Sequence, residues 1–317
     1  MRAPEFWARR GPVATLLRPL GALYALGGVV RWRLATPWRA PVPVLCVGNL
    51  SVGGVGKTPV VLDLARHLAG RQPHILTRGY GGRLAGPVRV DPAVHGAADV
   101  GDEALLLAQR TPVWVARDRA AGARTAVAHH ARLLLLDDGF QNPSLAKDLS
   151  LVVVDGETGF GNGLVFPAGP LRESVVRGLA RADALVVMGE DRHGLAAASP
   201  VPVLRARLVP RMPLSFAPGA PIIAFAGIGR PAKFFATLRA LGADPAVEQA
   251  FPDHHRFRED ELLRLEALAA GLGARLVTTD KDAVRLPPSW RARVAVLRVA
   301  VAWEDAAALG RVLARVG

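Results

Sequence analysis

A glycine-rich segment between residues 48 and 59 carries the clearest chemistry in the chain. It reads Gly48-Asn-Leu-Ser-Val-Gly-Gly-Val-Gly-Lys-Thr-Pro59, follows an apolar run and precedes a helical pattern. Glycines at such a junction let backbone N–H groups approach phosphate oxygens, and the helix N-terminus favours their negative charge. Lys57 is placed to reach the β- and γ-phosphates, and Thr58 to bind Mg²⁺. The predicted cofactor-binding residues are therefore Ser51, Val52, Gly53, Gly54, Val55, Gly56, Lys57 and Thr58.

Two details of the sequence bear on the nucleotide. The phosphate-loop consensus G-x-x-x-x-G-K-S/T has glycine where this chain has Ser51, and the pair Gly53 and Gly54 supplies the backbone freedom instead. The guanine signature N-K-x-D is absent, and Thr279-Asp-Lys-Asp282 misses its T-K-x-D variant by one position. ATP is therefore predicted in preference to GTP.

Paired carboxylates follow a second apolar run, in which Leu133-Leu-Leu-Leu136 leads into Asp137 and Asp138. A strand that ends in aspartate beside a phosphate loop can hold Mg²⁺. Either aspartate, or both, is predicted to do so, and the cofactors predicted are ATP and Mg²⁺. The alternative interpretation is a strand followed by an ordinary Asp-Gly turn.

Short apolar runs separated by helical stretches indicate the elements that position these residues. Near-continuous aliphatic strands are typical of a parallel sheet covered on both faces. The sequence therefore predicts a P-loop NTPase-type α/β fold with a doubly wound, mostly parallel sheet. The predicted strands are Val44–Val47, His74–Leu76, Val113–Ala116, Leu133–Leu136, Leu151–Val154 and Leu185–Met188, and the predicted helices are Lys57–Ala69, Asp102–Arg110, Arg119–His129 and Glu173–Arg181.

A proline-rich passage from Val209 to Pro221 interrupts this rhythm and marks the predicted domain boundary. The predicted division is a membrane-associated N-terminal segment (1–40), a P-loop kinase domain (41–212) and a smaller C-terminal α/β domain (213–317). The predicted elements of the last part are strands Ile222–Ala226, Arg275–Thr278 and Val294–Val299, and helices Ala232–Leu241, Glu259–Leu272 and Glu304–Arg315.

Charge and cysteine content exclude several classes of protein. The chain has 317 residues, a formal net charge of +13 and one cysteine. Cys46, interpreted as a small strand hydrophobe, has no partner for a disulfide or zinc ribbon, which favours a reducing compartment. The basic excess is almost all arginine and suits nucleic acid, an anionic membrane or a phosphorylated substrate equally well.

The distribution of that charge points to a membrane surface. Residues 1–40 hold seven arginines against Glu5 alone, and three of the six tryptophans. The uncharged stretch Pro19–Val30 has twelve residues, whereas a spanning helix needs about 20. The segment is therefore predicted to lie in the membrane interface without crossing it. The alternatives are a helix packed on its own domain and a signal peptide, although no cleavage site follows.

Together the motifs resemble the tetraacyldisaccharide 4'-kinase (lipid A 4'-kinase) family of Gram-negative bacteria, in order from about residue 44 to residue 286. The resemblance implies transfer of the ATP γ-phosphate to the 4'-hydroxyl of a tetraacylated glucosamine disaccharide 1-phosphate, giving lipid IVA, at the cytoplasmic face of the inner membrane. Ala104 and Ser174 stand where the family is expected to have proline. The matching blocks begin at Gly48, Thr77 (Thr-Arg-Gly-Tyr-Gly), Gly101 (Gly-Asp-Glu), Asp137 (Asp-Asp-Gly-Phe-Gln), Gly169 (Gly-Pro-Leu-Arg-Glu), Phe251 (Phe-Pro-Asp-His-His) and Thr278 (Thr-Thr-Asp-Lys-Asp-Ala).

The resemblance also implies a catalytic pair in addition to Lys57. Asp102, at a helix start, is expected to pair with His254 of the second domain, so that the imidazole accepts the sugar proton. Glu103 is expected to join the magnesium site. From the residues alone, Asp102 could simply cap its helix, and His254 or His255 could be a loop imidazole.

The remaining matched residues are assigned to the substrate cleft. By resemblance Tyr80, Arg172 and Glu173 line it, with Arg172 suited to an anionic head group. From spacing alone they could be a turn aromatic and a surface ion pair. Lys281 and Asp282 have either a nucleotide-side or domain-closing role, or form an exposed charged turn.

Two other functions fit parts of the sequence. A P-loop NTPase working as a switch or metal-insertion factor would use the same loop but also needs metal ligands, and Cys46 has no cysteine partner. A basic nucleic-acid-binding protein would have arginines interleaved with aromatics along a groove, whereas here that cluster is confined to the N-terminus. The predicted partners are the lipid disaccharide and the anionic membrane, with no nucleic acid, and the chain is predicted to be a monomer.

Overall fold

The computed structural model describes residues 4–212, 216 and 219–316, and in them the chain forms two sheets covered by helices. The strands are β1 (Val44–Gly48), β2 (Pro73–Thr77), β3 (Val88–Arg89), β4 (Val113–Val115), β5 (Leu133–Asp137), β6 (Leu149–Asp155), β7 (Ala184–Met188), β8 (Val203–Pro210), β9 (Pro221–Ala226), β10 (Asp244–Ala250), β11 (Arg275–Thr279), β12 (Ala295–Leu297) and β13 (Val299–Trp303). The helices are α1 (Pro12–Leu34), α2 (Lys57–His67), α3 (Ala97–Val100), α4 (Asp102–Ala108), α5 (Arg119–Ala128), α6 (Val175–Leu179), α7 (Leu195–Ala198), α8 (Pro231–Ala240), α9 (Glu259–Gly271), α10 (Asp280–Ala283) and α11 (Ala306–Leu313). Short 3₁₀ turns occupy Glu5–Trp7, Ala69–Arg71, Pro288–Trp290 and Ala314–Val316.

The larger sheet has the order β13-β8-β7-β6-β1-β5-β2-β4-β3. Its central strands are parallel and fully buried, because aliphatic side chains meet helices on both faces. The doubly wound α/β fold predicted from the sequence is confirmed. Since β1 and β5 are neighbours and run parallel, the loops that follow them leave the same edge of the sheet, where such folds bind ligands.

The smaller sheet has the order β10-β9-β11-β12 and packs against α8 and α9. The single strand predicted over Val294–Val299 is two strands in different sheets, because β12 pairs with β11 while β13 pairs antiparallel with β8. Helix α11 then buries Leu309 and Leu313 in the core of the larger sheet. The predicted C-terminal domain of residues 213–317 therefore needs correction, because the chain returns to the first domain from Val299 onward.

Strand β8 was not predicted, and its burial pattern explains why. Leu204 and Ala206 are buried, whereas Arg205 and Arg207 between and beside them face solvent. This alternation is typical of a strand with one solvated face. The search for continuous apolar runs does not detect such a strand, and it missed β10 at the edge of the smaller sheet for the same reason.

Helix α1 is longer than its uncharged core. It has 23 residues, about 34 Å, and a mean hydropathy of 1.5 in its most apolar window, of which 11% is buried. By length and composition it could cross a membrane, so the prediction that the segment is too short to do so is wrong. A single such helix near the N-terminus is a weak indication of membrane association.

One face of α1 lies on the first domain. Ala14 is fully buried, and a Cβ at Gly21 would lie 2.8 Å from the carbonyl oxygen of Val165. Tyr24 packs edge-on against Phe166, with ring centroids 5.5 Å apart. The large apolar side chains left exposed along the helix are Val13, Leu16, Leu20, Leu23, Tyr24, Leu26, Val30 and Leu34.

Candidate active site

The glycine-rich loop joins β1 to α2, as the strand-to-helix pattern predicts. Gly56 precedes the first residue of α2 with φ +87°, a conformation that favours glycine. The side-chain amide of Asn49 donates to the carbonyl oxygen of Ser51 at 2.6 Å, which fixes the start of the loop. Val52, Gly53 and Gly54 are exposed at its tip. The N–H groups of the first turn of α2 are thus available to an anion.

Lys57, the first residue of α2, faces the end of β5. Its Nζ lies 3.6 Å from Oδ1 of Asp138. Arg172 donates to both oxygens of the same carboxylate, at 3.0 and 3.2 Å. Burial alone would raise the pKa of Asp138, but the charges of Lys57 and Arg172 more than offset it and lower that pKa. Asp138, a predicted magnesium ligand, is therefore ion-paired with two cations that a phosphate could attract instead.

The surroundings of Asp137 raise its pKa, whereas those of Asp138 lower the pKa of that residue. It is 1% exposed, and its Oδ1 is buried without a hydrogen-bond partner among the residues that the structure describes. Burial raises its pKa to about 7, and the negative charges of Glu103 and Asp138 add to the rise against the effect of Lys57. A buried carboxylate oxygen without a partner at the phosphate loop fits a divalent cation.

The other predicted metal ligands contribute less. Glu103 is held by Lys281, with 3.1 Å between Oε1 and Nζ, and Thr58 is half-buried at the start of α2. Within the described part of the chain, no three His, Cys, Asp or Glu side chains cluster in a way that could hold a metal ion. The fit to Mg²⁺ therefore rests on Asp137 and Thr58, which bound phosphates would have to supplement.

Asp102 and His254 meet across the two domains. Nδ1 of His254 lies 2.9 Å from Oδ2 of Asp102, which is 4% exposed at the start of α4. Burial alone would raise the pKa of Asp102, but the hydrogen bond from His254 and the charges of Lys281 and Arg285 lower it. When Nδ1 carries a proton it donates to this ionised carboxylate, and in the neutral form of that tautomer the lone pair is on Nε2.

Neighbouring backbone keeps this pair in place. A Cβ at Gly101 would lie 2.4 Å from the carbonyl oxygen of Tyr80, so only glycine allows Asp102 to lie this close to that loop. His254 has φ +60°, and its N–H donates to the carbonyl oxygen of Gly227 at 3.0 Å. His255 is engaged elsewhere, because its Nε2 lies 2.9 Å from Glu261. His254 is thus the histidine that faces Asp102.

A buried ion pair beneath the histidine loop was not recognised from the sequence. Asp282 is fully buried and accepts from Arg285 at 2.9 Å and from the N–H of Gly227 at 3.0 Å. Arg285 also donates to the carbonyl oxygens of Gly227 and His255. Asp282, for which a role was left open, is in this structure part of the support of that loop. The Thr-Thr-Asp-Lys-Asp block was the available signal for this support.

The three predicted substrate residues lie in two separate groups. Tyr80 is 72% exposed and its ring centroid is 5.8 Å from that of His254. Arg172 and Glu173 form the other group, in which Gln141 bonds to both, at 3.3 and 3.2 Å. Sequence reasoning missed Gln141, although it ends the Asp-Asp-Gly-Phe-Gln block.

Two sets of ion pairs join the domains. Lys281 contacts Glu103 beside the Asp102–His254 pair. At the ends of β6 and α8, Arg230 contacts Asp155 at 2.7 Å, and Lys233 contacts Glu157 at 2.7 Å. Partly buried pairs of opposite charge fix the relative position of the two elements they join. The second set was not predicted, because nothing in the local sequence links residues so far apart.

A phosphate loop on a doubly wound sheet, together with a carboxylate–imidazole pair brought in by a second domain, defines a P-loop kinase. The family profile described as tetraacyldisaccharide-1-P 4'-kinase, LpxK, matches residues 13–316. The chain belongs to the tetraacyldisaccharide-1-P 4'-kinase family, a family of phosphotransferases that act on a hydroxyl group, and the resemblance seen in the sequence is confirmed.

Individual relatives agree over nearly the whole chain. The tetraacyldisaccharide 4'-kinase of Rhodospirillum centenum is 56% identical, covering 99% of this chain and 96% of its own. That of Gluconacetobacter diazotrophicus is also 56% identical, with coverages of 99% and 97%. A crystal structure of LpxK from Aquifex aeolicus in complex with ATP is 28% identical, with a TM-score of 0.80 and coverages of 96% and 99%. These matches do not favour a switch or metal-insertion NTPase.

Proposed function

We propose that the protein transfers the γ-phosphate of ATP to the 4'-hydroxyl of a tetraacylated glucosamine disaccharide 1-phosphate, forming lipid IVA. The observation that carries the proposal is the Asp102–His254 pair beside the phosphate loop. The two sites are neighbours, because α2, which begins at Lys57, packs against α4, which begins at Asp102. A proton acceptor next to a phosphate loop is the arrangement that phosphoryl transfer to an alcohol requires.

The loop residues 51–58 would hold the ATP phosphates. Backbone N–H groups of the loop and of the first turn of α2 point to the β- and γ-phosphates, and Lys57 moves from Asp138 toward the γ-phosphate. In its present position Lys57 contacts the partly exposed carboxylate of Asp138, and the 3.6 Å between Nζ and Oδ1 is longer than a hydrogen bond. This positive surface stabilises the charge on the equatorial oxygens during transfer.

His254 would accept the proton of the sugar hydroxyl. Asp102 holds Nδ1–H, so Nε2 takes the proton while the 4'-oxygen forms its bond to the γ-phosphorus and the bond to the bridging oxygen of ADP breaks. The buried carboxylate then stabilises the imidazolium that results. Tyr80 would flank the sugar, and Arg172 with Glu173 would bind it from the other side.

Asp137 and Thr58 would hold Mg²⁺, because they supply a buried carboxylate oxygen without a partner and a hydroxyl at the phosphate loop. When bound, the ion neutralises charge on the β- and γ-phosphates. Asp138, which is paired with Lys57 and Arg172, and Glu103, which is paired with Lys281, would support the site from their present positions.

Helix α1 would hold the enzyme at the cytoplasmic face of the bacterial inner membrane. Its contacts with the first domain run from Ala14 to Trp32, about 27 Å of its length. A spanning helix would draw that domain surface into the hydrocarbon, whereas an interfacial helix turns only its exposed leucines toward the lipid. These contacts support the interfacial arrangement.

The activity is tested by incubating the protein with γ-³²P-labelled ATP, Mg²⁺ and the disaccharide 1-phosphate lipid in mixed micelles. Label should appear in the lipid and not in the same lipid already phosphorylated at the 4' position. Hydrolysis of ATP without labelling of the lipid would overturn the proposal and favour a nucleotide switch.

The membrane arrangement is tested by vesicle flotation. Changing Leu16, Leu23 and Leu26 to glutamine should release the protein from anionic vesicles, because these side chains are more than half exposed. The matched control changes the exposed Leu263, Leu268 and Leu272 of the second domain to glutamine and should not alter flotation. Equal flotation of both triple variants would contradict the interfacial helix.

A further inference from the structure

Trp32, near the C-terminal end of α1, is enclosed by two cations of the first domain. The guanidinium carbon of Arg181 lies 4.3 Å from the Trp32 ring centroid, and Nζ of Lys147 lies 5.2 Å from it. The same guanidinium lies 4.7 Å from the ring centroid of Phe140. A cation this close to an aromatic ring is attracted by the ring's quadrupole, most strongly when water is excluded. Arg181 is therefore held between a ring of α1 and a ring of the segment that follows Asp138.

Few hydrogen bonds compete with the rings for the orientation of Arg181. Its Nη2 donates to Oε2 of Glu173 at 2.5 Å, and its Nε bonds weakly to the carbonyl oxygen of Arg177 at 3.4 Å. Nη1 is buried with no hydrogen-bond partner within the described residues. The two rings and one carboxylate thus set the position of this side chain. Burial lowers the pKa of neighbouring Lys147, and the charge of Arg181 lowers it further.

Hydrogen bonds connect Glu173, the partner of Arg181, to the start of the phosphate loop. Its Oε1 accepts from Nε2 of Gln141 at 3.2 Å, and the same nitrogen donates to the carbonyl oxygen of Asn49 at 2.8 Å. The side-chain oxygen of Gln141 accepts from Arg172 at 3.3 Å. The network therefore joins Arg172 and Glu173 to Asn49 at the start of the loop.

A second residue of α1 reaches the same network. Arg31 donates from Nη2 to the backbone carbonyl oxygen of Gln141 at 2.6 Å. Two consecutive residues of α1 thus contact the residues that hold Glu173: Trp32 packs on the side chain of Arg181, and Arg31 bonds to the backbone of Gln141.

Another pair of the same chemistry lacks this connection. The guanidinium carbon of Arg124 lies 4.8 Å from the Trp38 ring centroid. Arg124 belongs to α5, and none of its described contacts involves Asp138, Gln141, Arg172 or Glu173. The Trp38–Arg124 pair is therefore a matched control for a purely structural cation–aromatic contact.

We propose that Trp32 and Arg181 form a positioning pair that makes binding of the lipid head group depend on the seating of α1. The proposal rests on the proposed function. When α1 lies on the domain, Arg181 holds Glu173 and, through Gln141, Arg172 in the orientation that receives the sugar phosphate. When α1 is displaced, Arg181 loses one of its two rings and Glu173 loses its partner. The lipid site is thus complete only in enzyme whose helix is in place.

The test compares Trp32→Ala, Trp32→Phe and Arg181→Lys with Trp38→Ala in the full-length protein. The dissociation constant of the disaccharide 1-phosphate lipid is measured calorimetrically in micelles with a non-hydrolysable ATP analogue, and the KM values for lipid and for ATP are measured beside it. Trp32→Ala and Arg181→Lys should each weaken lipid binding and raise the lipid KM about tenfold, with the ATP KM unchanged. Trp32→Phe should restore most of the affinity, because it restores a ring.

The double variant Trp32→Ala/Arg181→Lys should bind the lipid as tightly as the single variant with the lower affinity, since the two changes break the same pair. Equal losses in Trp38→Ala and Trp32→Ala would overturn the proposal, as would fully multiplicative losses in the double variant. These outcomes differ from failure of the proposed function, which would appear in the wild-type protein as lipid binding without phosphate transfer. A wild-type protein that does not bind the lipid would overturn both.

Discussion

The two halves of the proposed active site are built in different ways. The phosphate half comes from neighbouring strands of one sheet, where the loop after β1 and the carboxylates after β5 meet at a shared edge. The other half joins Asp102 of the first domain to His254, which lies 152 residues further along the chain. One half is complete within a single domain, whereas the other exists only where two domains touch.

Because of this difference, we expect nucleotide binding and proton acceptance to depend on different contacts. A loop supported by buried parallel strands can bind nucleotide whatever the position of the second domain. The proposed proton acceptor is supported by the contacts of Lys281 with Glu103 and of Arg285 with Asp102. Chemistry should therefore be more sensitive than nucleotide binding to any change at the domain contact.

The largest effect is expected from Lys57→Ala, which removes the charge of the phosphate half. Turnover should fall at least about a hundredfold, because this charge stabilises the transferring phosphoryl group. The Asp102–His254 pair should stay intact, since Lys57 does not contact it. Steady-state transfer of labelled phosphate measures the loss, and a variant with wild-type turnover would remove the phosphate-loop mechanism.

Lys281→Met should have an intermediate effect on the two-domain half. It breaks the contact with Glu103 beside the Asp102–His254 pair, and kcat should fall about tenfold while the affinity for ATP is kept. Lys233→Met, which breaks the ion pairs on the far side of the domain contact, serves as the control and should reduce kcat by less than about threefold. If the control loses as much as Lys281→Met, the two sets of ion pairs act alike and the comparison between the halves fails.

The smallest effect concerns the stability that Asp102 contributes. Its pKa is lowered in the folded protein, so its charge stabilises the fold above its ordinary pKa of about 4, and this contribution is lost as the pH falls through the folded pKa. Asp102→Asn should therefore cost about 2 kcal/mol near neutral pH and progressively less below about pH 4. Urea unfolding across this range measures the difference, and a deficit that grows on acidification would contradict the assigned direction.

The same contrast explains what the sequence could predict. The glycine loop and the Leu133–Asp137 strand are continuous patterns whose spacing carries their chemistry, so sheet, loop and edge could be derived from the residues. The partnership of Asp102 with His254 could not, because no local periodicity links the two residues, and only the family resemblance suggested it.

Other features depended on tertiary contacts that no pattern reveals. Arg298 separates two strands that enter different sheets, and nothing in the apolar run Val294–Val299 signals the crossing. The true length of α1 was missed because Arg18 and Arg31 were taken as limits of the apolar segment, although arginine is a good helix former. Gln141 and Arg285 were missed because each acts by joining several loops.

The most direct test is a double-mutant cycle on Asp102 and His254, with binding of a fluorescent ATP analogue measured alongside kcat. Asp102→Ala and His254→Ala should each lower kcat at least about a hundredfold, and the double variant should be within about threefold of the worse single variant. Nucleotide affinity should be that of the wild type in all three. Fully multiplicative losses in kcat, or a parallel loss of nucleotide binding, would contradict a proton acceptor that is assembled across the domains beside an independent phosphate loop.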